Sequence, residues 1–134
     1  MRILVTGSSG RIGRYVVRDL IAAGHAVTGA DLAPAPEAQE GSFLRVDLTD
    51  AGQVYGALAR SRAEAVVHLG AWSSAGQTPD ARTYGDNVRG TYTVFQACAD
   101  LGVRRVISAS SQQAYGVDAA PPLYVPRSEE RRVG

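Results

Sequence analysis

Short apolar runs alternate along this chain with longer stretches whose apolar residues recur at helical spacing. Ile3-Leu4-Val5 predicts a buried strand. Ile12, Val16, Val17, Leu20 and Ile21 then fall on one helical face, and Gly24 stops that helix. Ala26 to Asp31 predicts a second strand. Leu32 to Glu40 is a polar loop with two prolines, Pro34 and Pro36. Ser42 to Val46 predicts a third strand, and Thr49 or Asp50 can cap a helix over Gln53 to Arg60. Ala65 to Leu69 predicts a fourth strand. A loop with Pro79 leads into a long helix, roughly Ala81 to Leu101, closed by Gly102. Val103 to Ala109 predicts a fifth strand, and Pro121, Pro122 and Pro126 mark an irregular segment.

Strands and helices alternate throughout, so the expected class is α/β, a doubly wound parallel sheet with helices on both faces. Ligands of such sheets bind beyond the carboxyl ends of the strands. Ser8, Ser9, Asp31, Asp47, Ser73, Ser110 and Ser111 all follow predicted strand ends and are expected to converge on one crevice there.

The turn after the first strand carries the most specific chemistry. Gly7, Gly10 and Gly13 stand in a Gly-x-x-Gly-x-x-Gly spacing between strand and helix. Gly7 allows a tight exit from the strand. Gly10, lacking a side chain, lets the backbone approach a pyrophosphate. Gly13 lets the helix pack near the strand. The helix amino end then faces the anion with free N–H groups and its positive dipole end. Asp31 ends the next strand, where a carboxylate accepts hydrogen bonds from an adenosine ribose. Glycines alone would only mark turns; strand, glycines, helix, strand and acid in this order predict dinucleotide binding.

Bulk properties narrow the class. At 134 residues the chain holds one domain, large enough for a core. A net charge of +1 implies neither nucleic acid nor an anionic membrane. No apolar run is long enough to span a bilayer, no signal peptide precedes the first strand, and the single cysteine, Cys98, excludes an internal disulfide. A reducing cytoplasm fits. All 14 basic residues are arginine, so the chain contains no lysine.

Taken together, the motifs resemble the extended short-chain dehydrogenase/reductase family, the NAD-dependent epimerase/dehydratase group, which has a Rossmann fold. Thr6-Gly7-Ser8-Ser9-Gly10-Arg11-Ile12-Gly13 resembles its cofactor fingerprint, and Asp47-Leu48 its acidic pair beside the adenine. His68-Leu69-Gly70-Ala71 resembles the His-x-Ala-Ala stretch, with Gly70 one methyl short of the commoner alanine. Asn87-Val88-Arg89-Gly90-Thr91 resembles Asn-x-x-Gly-Thr. Ser110-Ser111 with Tyr115-Gly116 resembles Ser-Ser-x-x-x-Tyr-Gly.

The resemblance implies that Gly7, Gly10, Arg11, Ile12 and Gly13 contact the pyrophosphate region. It puts Asp31 and Leu32 at the adenosine ribose, Asp47 and Leu48 beside the adenine, and Leu69, Gly70 and Ala71 along the cleft. Asn87 and Ser110 fall near the nicotinamide, and Ser111 matches the catalytic serine. NAD is the implied cofactor. Asp31 would repel a 2′-phosphate, Leu32-Ala33 offer no arginine to receive one, and Arg11 is the one cation of the glycine turn within reach. The implied partner is a small sugar-type substrate, with no nucleic acid or membrane, and the resemblance allows a homodimer of the full-length protein.

The family's catalytic tyrosine lies in Tyr-x-x-x-Lys, where the lysine lowers the tyrosine pKa. That motif is absent here, and Tyr115 belongs to the Tyr-Gly pattern instead. The expected organisation is therefore an incomplete NAD-binding Rossmann domain over 1–126, truncated after about the fifth strand. Residues 127–134, Arg-Ser-Glu-Glu-Arg-Arg-Val-Gly, resemble the in-frame translation of a common sequencing adapter and are expected to be non-native.

Three functions follow. One is the cofactor half of a sugar-type epimerase, dehydratase or dehydrogenase. The others are a non-catalytic NAD(P) sensor and an inactive fragment.

Other polar residues carry plainer expectations. His25 is structural, His68 makes a satisfied hydrogen bond beside the cleft, and Cys98 packs. No metal-ligand spacing is present. Trp72 lines the substrate side or caps the sheet, and Asp80 and Asp86 favour the helix start.

Overall fold

The structure, a computed structural model, describes residues 1–35, 41–74 and 76–111. Residues 36–40 of the proline loop, Tyr115-Gly116, the prolines at 121, 122 and 126, and the 127–134 tail lie outside the described residues.

Among the described residues, five strands and three helices follow in the order β1 (Arg2–Thr6), α1 (Gly13–Ala22), β2 (Ala26–Asp31), β3 (Ser42–Arg45), α2 (Ala51–Ser61), β4 (Ala65–His68), α3 (Asp80–Asp100), β5 (Arg105–Ser108). All pairings are parallel, and the sheet order is β3-β2-β1-β4-β5. The order reverses between β1 and β4, the switch point at which such sheets open a crevice. Thr6 pairs with Ala30 and His68, Asp31 with Arg45, and His68 with Ser108. All five strands therefore end on one edge.

β1 is central and buried on both faces, as a parallel strand between helix layers requires. Its alternation divides the core. Ile3 and Val5 join Val17, Val27 and Ala65 under α1, while Leu4 joins Ala30, Val46 and Val66 under α2 and α3. Leu4 is 2% exposed, and burying a leucine contributes about 2 kcal/mol. Cys98 packs in the second cluster, and burial raises its thiol pKa.

The helix ends have identifiable causes. Asp50 caps α2 by accepting the Gln53 N–H at 3.1 Å, worth about 1 kcal/mol. Of the two candidate caps, Thr49 is instead held by Asp47. Gly24 and Gly102 follow α1 and α3 with φ of 82° and 72°, backbone geometry that suits glycine. No side chain caps α1. On α3, Tyr84, Val88, Tyr92 and Phe95 form an exposed apolar stripe, and Ile107 of β5 is also exposed. Among the described residues, no helix is long and apolar enough to cross a membrane.

Candidate functional site

The glycine turn is built by close backbone packing. Gly7 has φ 69°, and a Cβ there would stand 2.6 Å from the Leu69 carbonyl carbon. The exit of β1 thus lies directly on the exit of β4. A Cβ on Gly13 would stand 2.0 Å from the Gly7 carbonyl oxygen, so α1 starts against the turn only because residue 13 is glycine. Gly10 differs: among the described residues its Cβ would meet only the Gly7 oxygen, at 3.1 Å, and the residue is exposed. Arg11 and Ile12 are exposed beside it. With no side-chain cap on α1, an anion there meets helix N–H groups without a side-chain competitor.

Asp31 fastens this turn to β2. Its Oδ2 accepts the Ser9 N–H at 2.9 Å, and its Oδ1 accepts the Ala33 N–H at 2.9 Å. Ser8 N–H donates to Ala30 O at 3.4 Å, and the wholly buried Ser8 Oγ has no partner among the described residues. Leu32 is exposed just beyond, and its carbonyl accepts Arg45 Nε at 3.2 Å. Along the chain Leu32-Ala33 have no arginine beside them. Arg45 arrives from β3, because parallel register sets it opposite Asp31.

Asp47 closes a local turn, its Oδ1 accepting both Thr49 N (2.9 Å) and Thr49 Oγ1 (2.8 Å). Leu48 sits between two glycines. A Cβ on Gly70 would stand 2.4 Å from Leu48 Cδ1, and one on Gly90 would stand 3.1 Å from Leu48 Cβ. The methyl that Gly70 lacks is thus replaced by the Leu48 side chain.

At the switch point, Thr6 Oγ1 lies 2.7 Å from His68 Nδ1 and accepts the N–H groups of Leu69 and Gly70 at 3.2 and 3.3 Å. His68 Nε2 lies 3.1 Å from Thr91 Oγ1. One buried imidazole therefore ties β1 and β4 to α3. Burial lowers its pKa, which favours the neutral form. Nothing local in the sequence signals this role of Thr6 and Thr91. Among the described residues, no group of side chains could hold a metal ion.

Asn87 engages both ends of its amide with one residue. Its Oδ1 accepts the Trp72 N–H at 2.8 Å, and its Nδ2 donates to Trp72 O at 3.1 Å. The Trp72 indole N–H donates to Asp86 Oδ2 at 2.9 Å. This bond, with a contribution from Arg82, holds the Asp86 carboxyl below its ordinary pKa. Asp80 does open α3 as expected, but Asp86 braces Trp72 rather than the helix start.

Ala71 is exposed next to Trp72. Ser110 and Ser111 follow β5, exposed on the same sheet edge. They stand three strands from Asp31 in the sheet order, about 14 Å at ordinary strand spacing. No small group touches both; an extended ligand lying across the switch point reaches from one to the other. The two ends of the predicted site thus share an edge rather than a contact.

Comparison with known proteins agrees with this architecture. Residues 3–133 match the model of the NAD dependent epimerase/dehydratase family. The chain is 36% identical to a UDP-glucose 4-epimerase of Mycolicibacterium smegmatis, over 99% of this chain and 45% of that protein. It is 30% identical to the UDP-glucose 4-epimerase of Drosophila melanogaster, over 98% of this chain and 42% of the relative. The chain thus spans less than half the length of these relatives. Among solved structures, a short-chain dehydrogenase/reductase superfamily protein from Agrobacterium tumefaciens with bound NAD superimposes with a TM-score of 0.79 at 37% identity, over 92% of this chain and 36% of that one. The Thermus thermophilus UDP-glucose 4-epimerase complex with NAD gives 0.71 at 33% identity, over 79% of this chain and 36% of that one. The chain belongs to the NAD dependent epimerase/dehydratase family.

Proposed function

We propose that this chain is the NAD-binding part of an enzyme that acts on a nucleotide sugar. The observation that carries the reading is the glycine turn at the switch point, held to β2 by the Asp31–Ser9 bond. Gly7 and Gly13 leave no room for a Cβ on the protein side, while Gly10 faces outward, which is a cradle fitted to a pyrophosphate. Gly7, Gly10, Arg11, Ile12 and Gly13 would hold that group. Asp31 and Leu32 would hold the adenosine ribose, and Asp47, Leu48, Leu69, Gly70 and Ala71 would line the cleft. Asn87 would keep the Trp72 segment in place beside the nicotinamide end.

NAD supplies a reversible hydride acceptor when bound. Ser111, with Ser110 beside it, would hydrogen-bond the reacting substrate oxygen. Moving the proton requires an acid/base of suitable pKa, and the family's Tyr-x-x-x-Lys is not among these 134 residues, which contain no lysine. The 134 residues alone are therefore expected to bind NAD without turnover.

The relatives are UDP-glucose 4-epimerases, which makes UDP-glucose the first substrate to try. The test pairs NAD titration of the 134-residue chain with assay of the gene extended past Pro126. Expected are NAD binding by both and UDP-sugar turnover by the extended protein alone. Failure of both to bind NAD overturns the reading. The absence of lysine also favours a non-catalytic NAD(P) sensor as second reading, and NAD binding without turnover by the extended protein would establish it.

A further inference from the structure

Arg45 stands where a ligand ribose is expected, and among the described residues no ion pair uses its charge. Parallel register sets it opposite Asp31 on the neighbouring strand. Registered partners in a parallel pair share a face, about 5 Å apart. Yet among the described residues no ion pair joins them. Each Asp31 oxygen accepts one backbone N–H, from Ser9 and from Ala33, and Arg45 is anchored by Nε to the Leu32 carbonyl at 3.2 Å. That bond fixes the stem of the guanidinium at the residue following the ribose acid. It leaves the two terminal nitrogens without a partner among the described residues, and Arg45 is exposed. The guanidinium fork is the side-chain geometry that best suits a phosphate.

We propose that Arg45 is a specificity-determining residue of the adenosine pocket: it offers a cation to a 2′-phosphate, against the repulsion from Asp31. The pocket then holds both halves of a cofactor choice. Asp31 favours the 2′-hydroxyl of NAD, while Arg45 limits how strongly NADP is rejected. This assignment rests on the reading of the site as an NAD site. It locates the relevant cation on β3, rather than at Arg11 of the glycine turn. A 2′-phosphate bound this way is held by charge near the surface, so added salt weakens it more than it weakens NAD.

Affinities for NAD and NADP, measured by calorimetry on the 134-residue chain and its variants, test this. Asp31→Asn removes the repelling charge, and NADP is expected to bind that variant within about threefold of NAD. Adding Arg45→Ala to Asp31→Asn should weaken NADP about tenfold or more and NAD less than about threefold, and Arg45→Lys should restore part of the NADP affinity. Arg11→Ala in the same background should leave the preference unchanged. Equal losses for both cofactors, or no loss for either, on replacing Arg45 would overturn the assignment. So would a NADP-selective loss at Arg11 alone. Failure of the unaltered chain to bind NAD overturns the site reading itself, and this assignment with it.

Discussion

Asp31 receives the backbone N–H of Ser9 at 2.9 Å, joining the carboxyl end of β2 to the middle of the glycine turn. A carboxylate has about four lone-pair sites, and Ser9 and Ala33 use two. The same side chain can therefore brace the turn and still accept hydrogen bonds from a ribose.

Replacing Asp31 consequently removes two contributions at once. Asp31→Ala is expected to weaken NAD binding by about tenfold or more, the scale of a hydrogen bond to a charged group. In the unaltered chain NAD is expected to bind more tightly than NADP. Calorimetric titration of both cofactors checks this, and tighter NADP binding would refute the assignment.

The glycines should separate into two kinds. Gly13→Ala places a methyl 2.0 Å from the Gly7 oxygen and is expected to destabilise the fold by about 1–3 kcal/mol or more. Gly10→Ala meets a single atom at 3.1 Å, so its unfolding midpoint should barely move while NAD affinity falls. Thermal melts with and without NAD separate the two. Equal destabilisation by both would remove the special role given to Gly10.

His68 makes stability pH-dependent. Burial lowers its folded pKa below the unfolded value of about 6.5. As pH falls, the unfolded chain takes up the proton first. Its contribution is thus complete above about pH 6.5 and declines as pH falls through the window below that value. The unfolding midpoint should drop between about pH 7 and pH 5.5, and His68→Gln should flatten that slope. A slope unchanged by the substitution would mean that another group is responsible.

Ser111 bears on the longer protein. Ser111→Ala should lower turnover by about 10²-fold, on the scale of acid/base and oxyanion contacts, with NAD affinity little changed. Near-normal turnover would transfer the role to Ser110.

The local pattern was enough for the strands, the helices and the glycine turn, because burial periodicity and backbone demands are encoded residue by residue. It overran some ends. Val103 reads as strand, yet its N–H bonds the Cys98 carbonyl at 2.8 Å and closes α3 instead. An apolar residue beside a helix end satisfies either pattern, and only the backbone partner decides.

The class of fold and the family are legible in the chain alone, since the motifs are contiguous and their glycines have local steric causes. Which distant side chains meet follows from the packed fold. It set Arg45 against Leu32, Asn87 on the Trp72 backbone, Leu48 between Gly70 and Gly90, and His68 between Thr6 and Thr91. These contacts depend on strand register and on how closely α3 approaches the sheet, which are fixed by packing of the whole core and by no short stretch of chain.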